Sequence, residues 1–356
     1  MTLNQLTLTG FKNYAEASFD FASGINCLIG KNGSGKTNLL DAIYYLAFAK
    51  TAFNTTDSQN IHNGQSSLTS YGIFQKDLIV ACNYERRKGK TLKVNGEEEK
   101  KISNHVGVIP IVLTTPDDTD IIREGSEFRR KFFDGAIAQM DAGYLKDLIA
   151  FNQLLKQRNE HLKQAEDASQ INHTLLDTYD EKMLPVAKRI SAGRNKFLKT
   201  YTPFFEKSYA SLHKAVEIPA IRFKSDVLDK NFPSQFNGSR NRDILMQRTL
   251  MGPHRDQYDF LLNDEAIKKF GSQGQQKTFI IGLKLAEFDM LSAAKGKRPL
   301  LLLDDIFDKL DDERIASLVK ILSAKKRFGQ IFITDARKER SKTFFKKEKV
   351  NFIEIK

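Results

Sequence analysis

The chain has 356 residues, 40% apolar and 28% charged, and its 56 Lys and Arg against 44 Asp and Glu give a formal net charge of +12. That length supports one elaborated domain or two with a sizeable core, excluding a disulfide-held mini-protein, and Cys27 and Cys82 alone cannot build a disulfide framework or a four-thiolate zinc site. No apolar run approaches the ~18 residues of a membrane span and no export signal opens the chain, so a cytoplasmic protein with no membrane association is expected. The charge excess suits a polyanionic partner such as nucleic acid, and equally a need for solubility.

From Met1 to about Asp120, short apolar runs with turn punctuation predict strands at Leu3 to Leu8, Phe19 to Phe21, Ile25 to Ile29, Leu78 to Tyr84 and Val108 to Leu113. After the third comes Gly30-Lys31-Asn32-Gly33-Ser34-Gly35-Lys36-Thr37, a match to Gly-x4-Gly-Lys-[Ser/Thr], and then a predicted helix from Thr37 to Ala49. Such glycines let successive backbone N–H groups converge on an anion at a helix N-terminus. Lys36 adds a charge for the β- and γ-phosphates, and the Thr37 hydroxyl is the expected Mg2+ ligand. Further on, Arg86-Arg87-Lys88 and Lys90 precede Asn95-Gly96 and Glu97-Glu98-Glu99, a pattern suited to an exposed hairpin.

From about Arg129 to Gln164, Phe133, Ile137, Tyr144, Leu148, Phe151 and Leu155 recur at helical spacing and predict an amphipathic helix or helix pair. A second helical stretch runs from about Thr174 to Leu212, where Pro185 and Pro203 are expected to break or kink it. Limbs of this size make a compact arm reaching at most ~54 Å. From about Gly252 the alternation returns: a strand Tyr258 to Leu262, a helix Gln273 to Leu291, a strand Pro299 to Asp304, a helix Asp312 to Leu322 and a strand Gln330 to Thr334. The expected fold class is therefore α/β, one body split in sequence by a mainly helical arm. The expected divisions are 1–125, 126–250 and 251–356.

Leu300 to Leu303 followed by Asp304-Asp305 reads as a buried central strand ending in two acids. Beside the phosphate loop, Asp304 is the second candidate for Mg2+. Asp305, one residue on and so expected on the opposite side of the strand, is the candidate to orient or deprotonate an attacking water.

Gly271-Ser272-Gln273-Gly274-Gln275-Gln276 stands 28 residues before the acidic strand and resembles the signature motif of ABC-type ATPases. Leu310-Asp311 looks like the D-loop of that class, and Asn38 is typical of its DNA-repair and chromosome-maintenance branch. Leu6-x-Leu8-x-x-Phe11-Lys12-Asn13-Tyr14, Gly125-x3-Arg129-Arg130-x2-Phe133-Asp134 and Met251-Gly-Pro-His-Arg-Asp256 extend the match over nearly the whole chain. Together they resemble the RecF family of bacterial recombination-repair ATPases.

The resemblance implies an ABC-type head, a P-loop NTPase, in which Gly30 to Thr37 bind ATP and Thr37 and Asp304 bind Mg2+. It also implies that Asp305, Lys36 and Ser272 serve catalysis, that Ser272, Gln273, Gly274 and Gln275 grip the γ-phosphate held by a second subunit, and that Lys12 and Asn13 lie near the nucleotide. It further implies an ATP-dependent homodimer on duplex DNA and on junctions with single strands, working with RecR, RecO and RecA, a role in the SOS response, and slow DNA-stimulated hydrolysis. Slow turnover fits two departures: Thr114-Thr115-Pro116-Asp117 stands where a Q-loop glutamine is expected, and Thr334-Asp335 where transporters carry a switch histidine.

Candidate DNA contacts are Arg86, Arg87 and Lys88, then Arg129, Arg130 and Lys131, then Lys325, Lys326 and Arg327, each equally able to lie on a solvated face. Phe344-Phe345, within the basic stretch Arg337 to Lys349, reads as core cover, and His254 as structural or nucleotide-coupling. A transporter-type subunit fits less well, because 236 positions separate Lys36 from Ser272. An ATP-switched binding module differs only in turnover, and a nuclease of the overcoming-lysogenization type would need a further acidic domain for which there is no room.

Overall fold

The computed structural model describes residues 1–54, 56–164, 171–212, 217–307, 312–324, 327–346 and 348–356. In chain order its elements are β1 (Leu3–Phe11), β2 (Tyr14–Asp20), β3 (Gly24–Ile29), α1 (Lys36–Phe48), β4 (Ser67–Phe74), β5 (Leu78–Glu85), β6 (Gly89–Val94), β7 (Glu97–Glu98) and β8 (Ile111–Thr114). Next come α2 (Asp120–Arg123), α3 (Ser126–Met140), α4 (Ala142–Gln164), α5 (His173–Leu212), β9 (Pro219–Lys224), α6 (Phe232–Gly238), α7 (Arg240–Leu245), β10 (Gln257–Leu262), β11 (Glu265–Ala266) and α8 (Ile267–Phe270). The chain ends with α9 (Gln273–Lys295), β12 (Leu300–Leu303), α10 (Asp312–Leu322), β13 (Gln330–Asp335), α11 (Lys338–Phe344) and β14 (Val350–Glu354). These fall into two units, one of Met1–Thr119, Lys207–Val216 and Gln273–Lys356, the other of Asp120–Glu206 and Glu217–Ser272.

The first unit carries two sheets. One is wholly parallel in the order β14-β3-β13-β12-β8, and β3, β8, β12 and β13 are almost entirely buried. Burial on both faces is why Leu300 to Leu303 form an unbroken apolar run instead of alternating. The other sheet is antiparallel in the order β2-β1-β4-β5-β6-β7. Its inward residues Leu6, Leu8, Leu68, Phe74, Val80 and Leu92 share a core with Leu39, Leu40, Ile43 and Leu46 of α1.

Strand β4 lies outside the expected set, and its burial pattern explains why. Leu68, Ser70, Gly72 and Phe74 alternate inward, but Ser70 and Gly72 interrupt the apolar signal. Both are small because α1 passes close by: Ser70 Oγ donates to the Ala42 carbonyl at 3.2 Å, and a Cβ on Gly72 would lie 2.5 Å from a Leu46 methyl. The expected hairpin at Asn95-Gly96 does form, with both residues at positive φ (51° and 87°) between β6 and β7. That is the backbone a two-residue connection of this kind demands.

The second unit is mainly helical. Asp141 divides the first limb into α3 and α4, its carboxylate accepting from the Tyr144 amide at 3.0 Å as a helix cap. Contrary to the expected break, α5 continues through both Pro185 and Pro203. A proline removes one backbone hydrogen bond; Met183, Ala187, Ile190, Phe197, Tyr201 and Phe205, all buried along this helix, outweigh that loss. The helix has 40 residues, and its part within this unit, His173 to Glu206, spans ~51 Å, inside the expected reach. Residues 251 to 272 also group with this unit instead of the C-terminal part, because β10 pairs antiparallel with β9 from Gln257↔Lys224 to Leu262↔Pro219. Among the described residues no helix is long and apolar enough to cross a membrane.

Candidate nucleotide site

The phosphate loop leaves the C-terminal end of β3 and enters α1 at Lys36. Gly33 and Gly35 have φ of 84° and 107°, a region that other residues avoid. Lys36 is buried, and its ammonium donates to the carbonyls of Gly30 at 2.8 Å and Lys31 at 2.9 Å. Two side chains, one from the β1–β2 turn and one from the start of β2, also hold the loop: Asn13 Nδ2 donates to the Ser34 carbonyl and Tyr14 OH to the Gly35 carbonyl, both at 3.1 Å. Asn32, Gly33, Gly35, Lys36, Thr37, Asn38 and Asp305 line a cavity of about 210 Å³. The Ser34 hydroxyl is buried with no hydrogen-bond partner among the described residues. A nest of amides and a buried ammonium fit an anionic group.

The neighbouring strand ends complete the site. Thr37 Oγ1 lies 3.0 and 2.9 Å from the two carboxylate oxygens of Asp304, which leaves β12. Thr334, near the end of β13 between β3 and β12, donates to Asp304 Oδ1 at 2.7 Å and accepts from the Asp305 amide at 2.9 Å. Burial pushes the Asp304 carboxyl up, only partly countered by hydrogen bonds from Thr334 and Thr37. A buried carboxylate beside a hydroxyl is a hard-oxygen pair suited to Mg2+. Asp305 does not sit on the opposite side of the strand as expected. The strand ends at Leu303, and Asp305 takes a left-handed φ of 44° that lets it line the phosphate-loop cavity. Strand alternation ceases to apply once the backbone leaves extended geometry.

At the Q-loop position, the Thr114 carbonyl accepts from the Asp304 amide at 2.8 Å, and Lys284 of α9 donates to the Leu113 carbonyl at 2.7 Å while pairing with Asp118 at 3.0 Å. At the switch position Asp335 is buried. Burial disfavours its charge, but hydrogen bonds from Arg340, Ser341 and the Arg337 amide outweigh that and hold it below the usual carboxylate range. Exposed Ser272 closes the second unit directly before α9, whose first residues are Gln273, Gly274 and Gln275. A Cβ on Gly274 would stand 2.7 Å from Arg314 Nη1, so glycine is what lets that guanidinium pass. Gln273, Gly274 and Gln275 do not line the phosphate-loop cavity. Leu310-Asp311 lies outside the described residues, as do Lys325 and Lys326.

The basic clusters separate by direction. Arg86, Arg87 and Lys88 are exposed on the β5–β6 turn. Arg129 and Arg130 are not available as expected: Arg129 donates to the carbonyls of Ile121, Ile122 and Tyr258, and Arg130 to that of Asp256. Lys131 is exposed and pairs with Glu127 at 2.8 Å; Arg327 pairs with Asp289 at 2.7 Å. Phe345 is buried and both Phe344 and Phe345 pack on Phe307, as core cover. His254 stacks on Phe151 with Nε2 3.0 Å from the Thr249 carbonyl. Lys12 ion-pairs with buried Asp41 at 2.5 Å. The roles of Tyr14, Thr334 and Lys284 escape the sequence reading, since only strand pairing reveals their neighbours.

A family described as the RecF/RecN/SMC N terminal domain matches residues 2–354. The chain is 44% identical to the DNA replication and repair protein RecF of Cytophaga hutchinsonii over 99% of its own length and 94% of that protein. It is 40% identical to the RecF of Flavobacterium johnsoniae, covering 97% of each chain. Among solved structures, the recombination mediator protein RecF-ATPrS in the RecFOR pathway aligns with a TM-score of 0.86 at 28% identity, over 94% of this chain and 92% of that one. An SmcHead bound to the C-winged helix domain of ScpA aligns at 0.54 with 15% identity, over 95% and 90%, and shows the shared head fold alone. The α/β body interrupted by a helical arm is thus an ABC/SMC-type ATPase head, and the chain belongs to the RecF family.

Proposed function

We propose that this chain is a cytoplasmic ATP-dependent DNA-binding protein of replication and recombinational repair, in which ATP joins two copies on DNA and slow hydrolysis releases them. The observation that carries the reading is Thr37 held against both oxygens of Asp304 beside the glycine nest. Gly30 to Thr37 bind the triphosphate of ATP as substrate. Thr37 and Asp304 would hold the Mg2+ that accompanies it, which supplies neutralisation of phosphate charge. Asp305 orients or deprotonates the water that attacks the γ-phosphate, and Lys36 stabilises the charge developing there. Ser272, Gln273, Gly274 and Gln275 meet the γ-phosphate bound by the second copy, so hydrolysis depends on dimerisation and its loss reverses it. With neither a Q-loop glutamine nor a switch histidine, turnover is slow and serves timing.

DNA meets the exposed turn Arg86-Arg87-Lys88. The pairings Thr9↔Thr69, Ser67↔Glu85 and Glu85↔Gly89 place that turn at the same end of the antiparallel sheet as Asn13, which touches the phosphate loop. The preferred sites are gaps and junctions of duplex with single strand, and the partners are RecR, with RecO, in loading RecA and in the SOS response, as the family implies. The test is affinity for duplex and gapped DNA with and without ATP, in the wild type and in Lys36→Ala. ATP should raise wild-type affinity, which should fall steeply from ~50 to ~200 mM salt, and the variant should lose the ATP effect. An ATP effect that survives in Lys36→Ala contradicts the reading.

A further inference from the structure

The phosphate loop is shaped from outside itself. In a trans peptide the C=O and the following N–H point in opposite directions, so tying back a carbonyl aims the next amide the other way. Lys36 ties back the carbonyls of Gly30 and Lys31, which aims the amides of Lys31 and Asn32. Once that ammonium turns to a phosphate, those ties are released. The Gly35 carbonyl is held twice, by the Leu39 amide of α1 at 2.9 Å and by Tyr14 OH. The Ser34 carbonyl is held by Asn13 Nδ2 at 3.1 Å.

Asn13 is itself fixed. Its Oδ1 accepts from Asn38 Nδ2 at 2.8 Å, which leaves its NH2 facing the Ser34 carbonyl. A Cβ at position 35 would lie 2.3 Å from Asn13 Nδ2, so glycine there serves the approach of this amide as well as its own φ of 107°. Phe11 packs on Tyr45, and Lys12 ion-pairs with Asp41, so the chain is anchored to α1 through the two residues directly before the loop contact.

We propose that Asn13 is a positioning residue for triphosphate binding: braced by Asn38, it holds the Ser34–Gly35 peptide so that the Gly35 amide faces the ligand. The proposal rests on the reading of this loop as a triphosphate site and adds that Asn13 acts on the loop and touches neither base nor sugar.

The test is calorimetric titration of the full chain with two probes, a non-hydrolysable ATP analogue and inorganic tripolyphosphate. The variants are Asn13→Ala, Asn13→Asp, Asn38→Ala and the double Asn13→Ala/Asn38→Ala, each with a melting curve. Asn13→Ala should weaken both probes by the same factor, about five- to tenfold. Asn13→Asp keeps the size and the acceptor for Asn38 but loses the donor, and should be at least as weak; it carries the test if the alanine variant melts early. Asn38→Ala should show a smaller loss, and the double variant no more than Asn13→Ala, because the two amides act as one unit. Loss of the ATP analogue alone, with tripolyphosphate undiminished, would place Asn13 on the nucleoside and overturn the proposal, as would unchanged affinity for both. A wild type that binds neither probe would overturn the triphosphate reading and this inference with it.

Discussion

Buried charge is handled differently in the core of the second unit and at the phosphate loop of the first. In the second unit, Arg158 meets Asp180 and Asp243 at 2.7 and 2.8 Å, and Arg194 meets Asp134 and Asp256 at the same distances, all with little or no exposed side chain. Each buried guanidinium is balanced in place by carboxylates, the arrangement of a scaffold. In the first unit, buried Lys36 touches only backbone carbonyls, and no carboxylate among the described residues forms an ion pair with it. Asp304 leans on two threonine hydroxyls and its carboxyl is pushed up by burial. Charges left short of partners inside a fold mark the place where a ligand of opposite sign belongs.

The largest expected effects test that contrast directly. Arg194→Ala leaves Asp134 and Asp256 facing each other and should cost about 3 to 5 kcal/mol in denaturant unfolding. Lys36→Ala should change stability by less than about 1 kcal/mol, yet lower triphosphate affinity by roughly 100-fold. A Lys36→Ala protein as destabilised as Arg194→Ala would erase the distinction between the units.

Two titratable groups shifted by desolvation give smaller effects of opposite sign. Burial, little relieved by Lys284 and worsened by Asp118, raises Glu287 of the first unit to about 7. The native state therefore holds a proton that the unfolded chain releases near pH 4.5, and stability is lost as pH rises from there through 7. Glu287→Gln should stabilise by about 3 kcal/mol at pH 8, with the gain vanishing toward pH 4.5. His254 of the second unit is lowered to about 4, chiefly by burial, so it stays neutral while the unfolded chain gains a proton below pH 6.5. Stability is lost as pH falls from 6.5 to 4, and His254→Gln should flatten that segment of a melting-temperature profile; an unchanged slope would place the titration elsewhere.

The smallest effect separates exposed from inward arginines. Replacing Arg86 or Arg87 with Ala should each reduce the slope of log affinity against log salt by about 1, without altering the melting temperature. Arg129→Ala should lower the melting temperature through its lost carbonyl contacts. A salt slope that responds to Arg129 and not to Arg86 or Arg87 would reverse the assignment of the DNA face.

What was legible in the sequence was local. The phosphate loop, the apolar strand before Asp304 and the helix from Asp312 to Leu322 each show in a contiguous pattern, because parallel strands are buried on both faces and glycine nests need consecutive residues. Strand β4 was hidden because close packing on α1 put Ser70 and Gly72 where apolar residues would advertise a strand. Arg129, Arg130 and Arg86 look alike as letters, since composition records charge and not direction. The left-handed turn at Asp305, Thr334 beneath Asp304 and Asn13 behind Ser34 depend on pairing between separated strands, which no window of sequence contains.

The central claim is that triphosphate joins two copies of this chain, and light scattering tests it most directly. With a non-hydrolysable ATP analogue and Mg2+, the 40.5 kDa monomer mass should double, while Ser272→Arg should bind the analogue and stay monomeric. An unchanged mass for the wild type under saturating analogue, with a gapped oligonucleotide also present, would contradict the account.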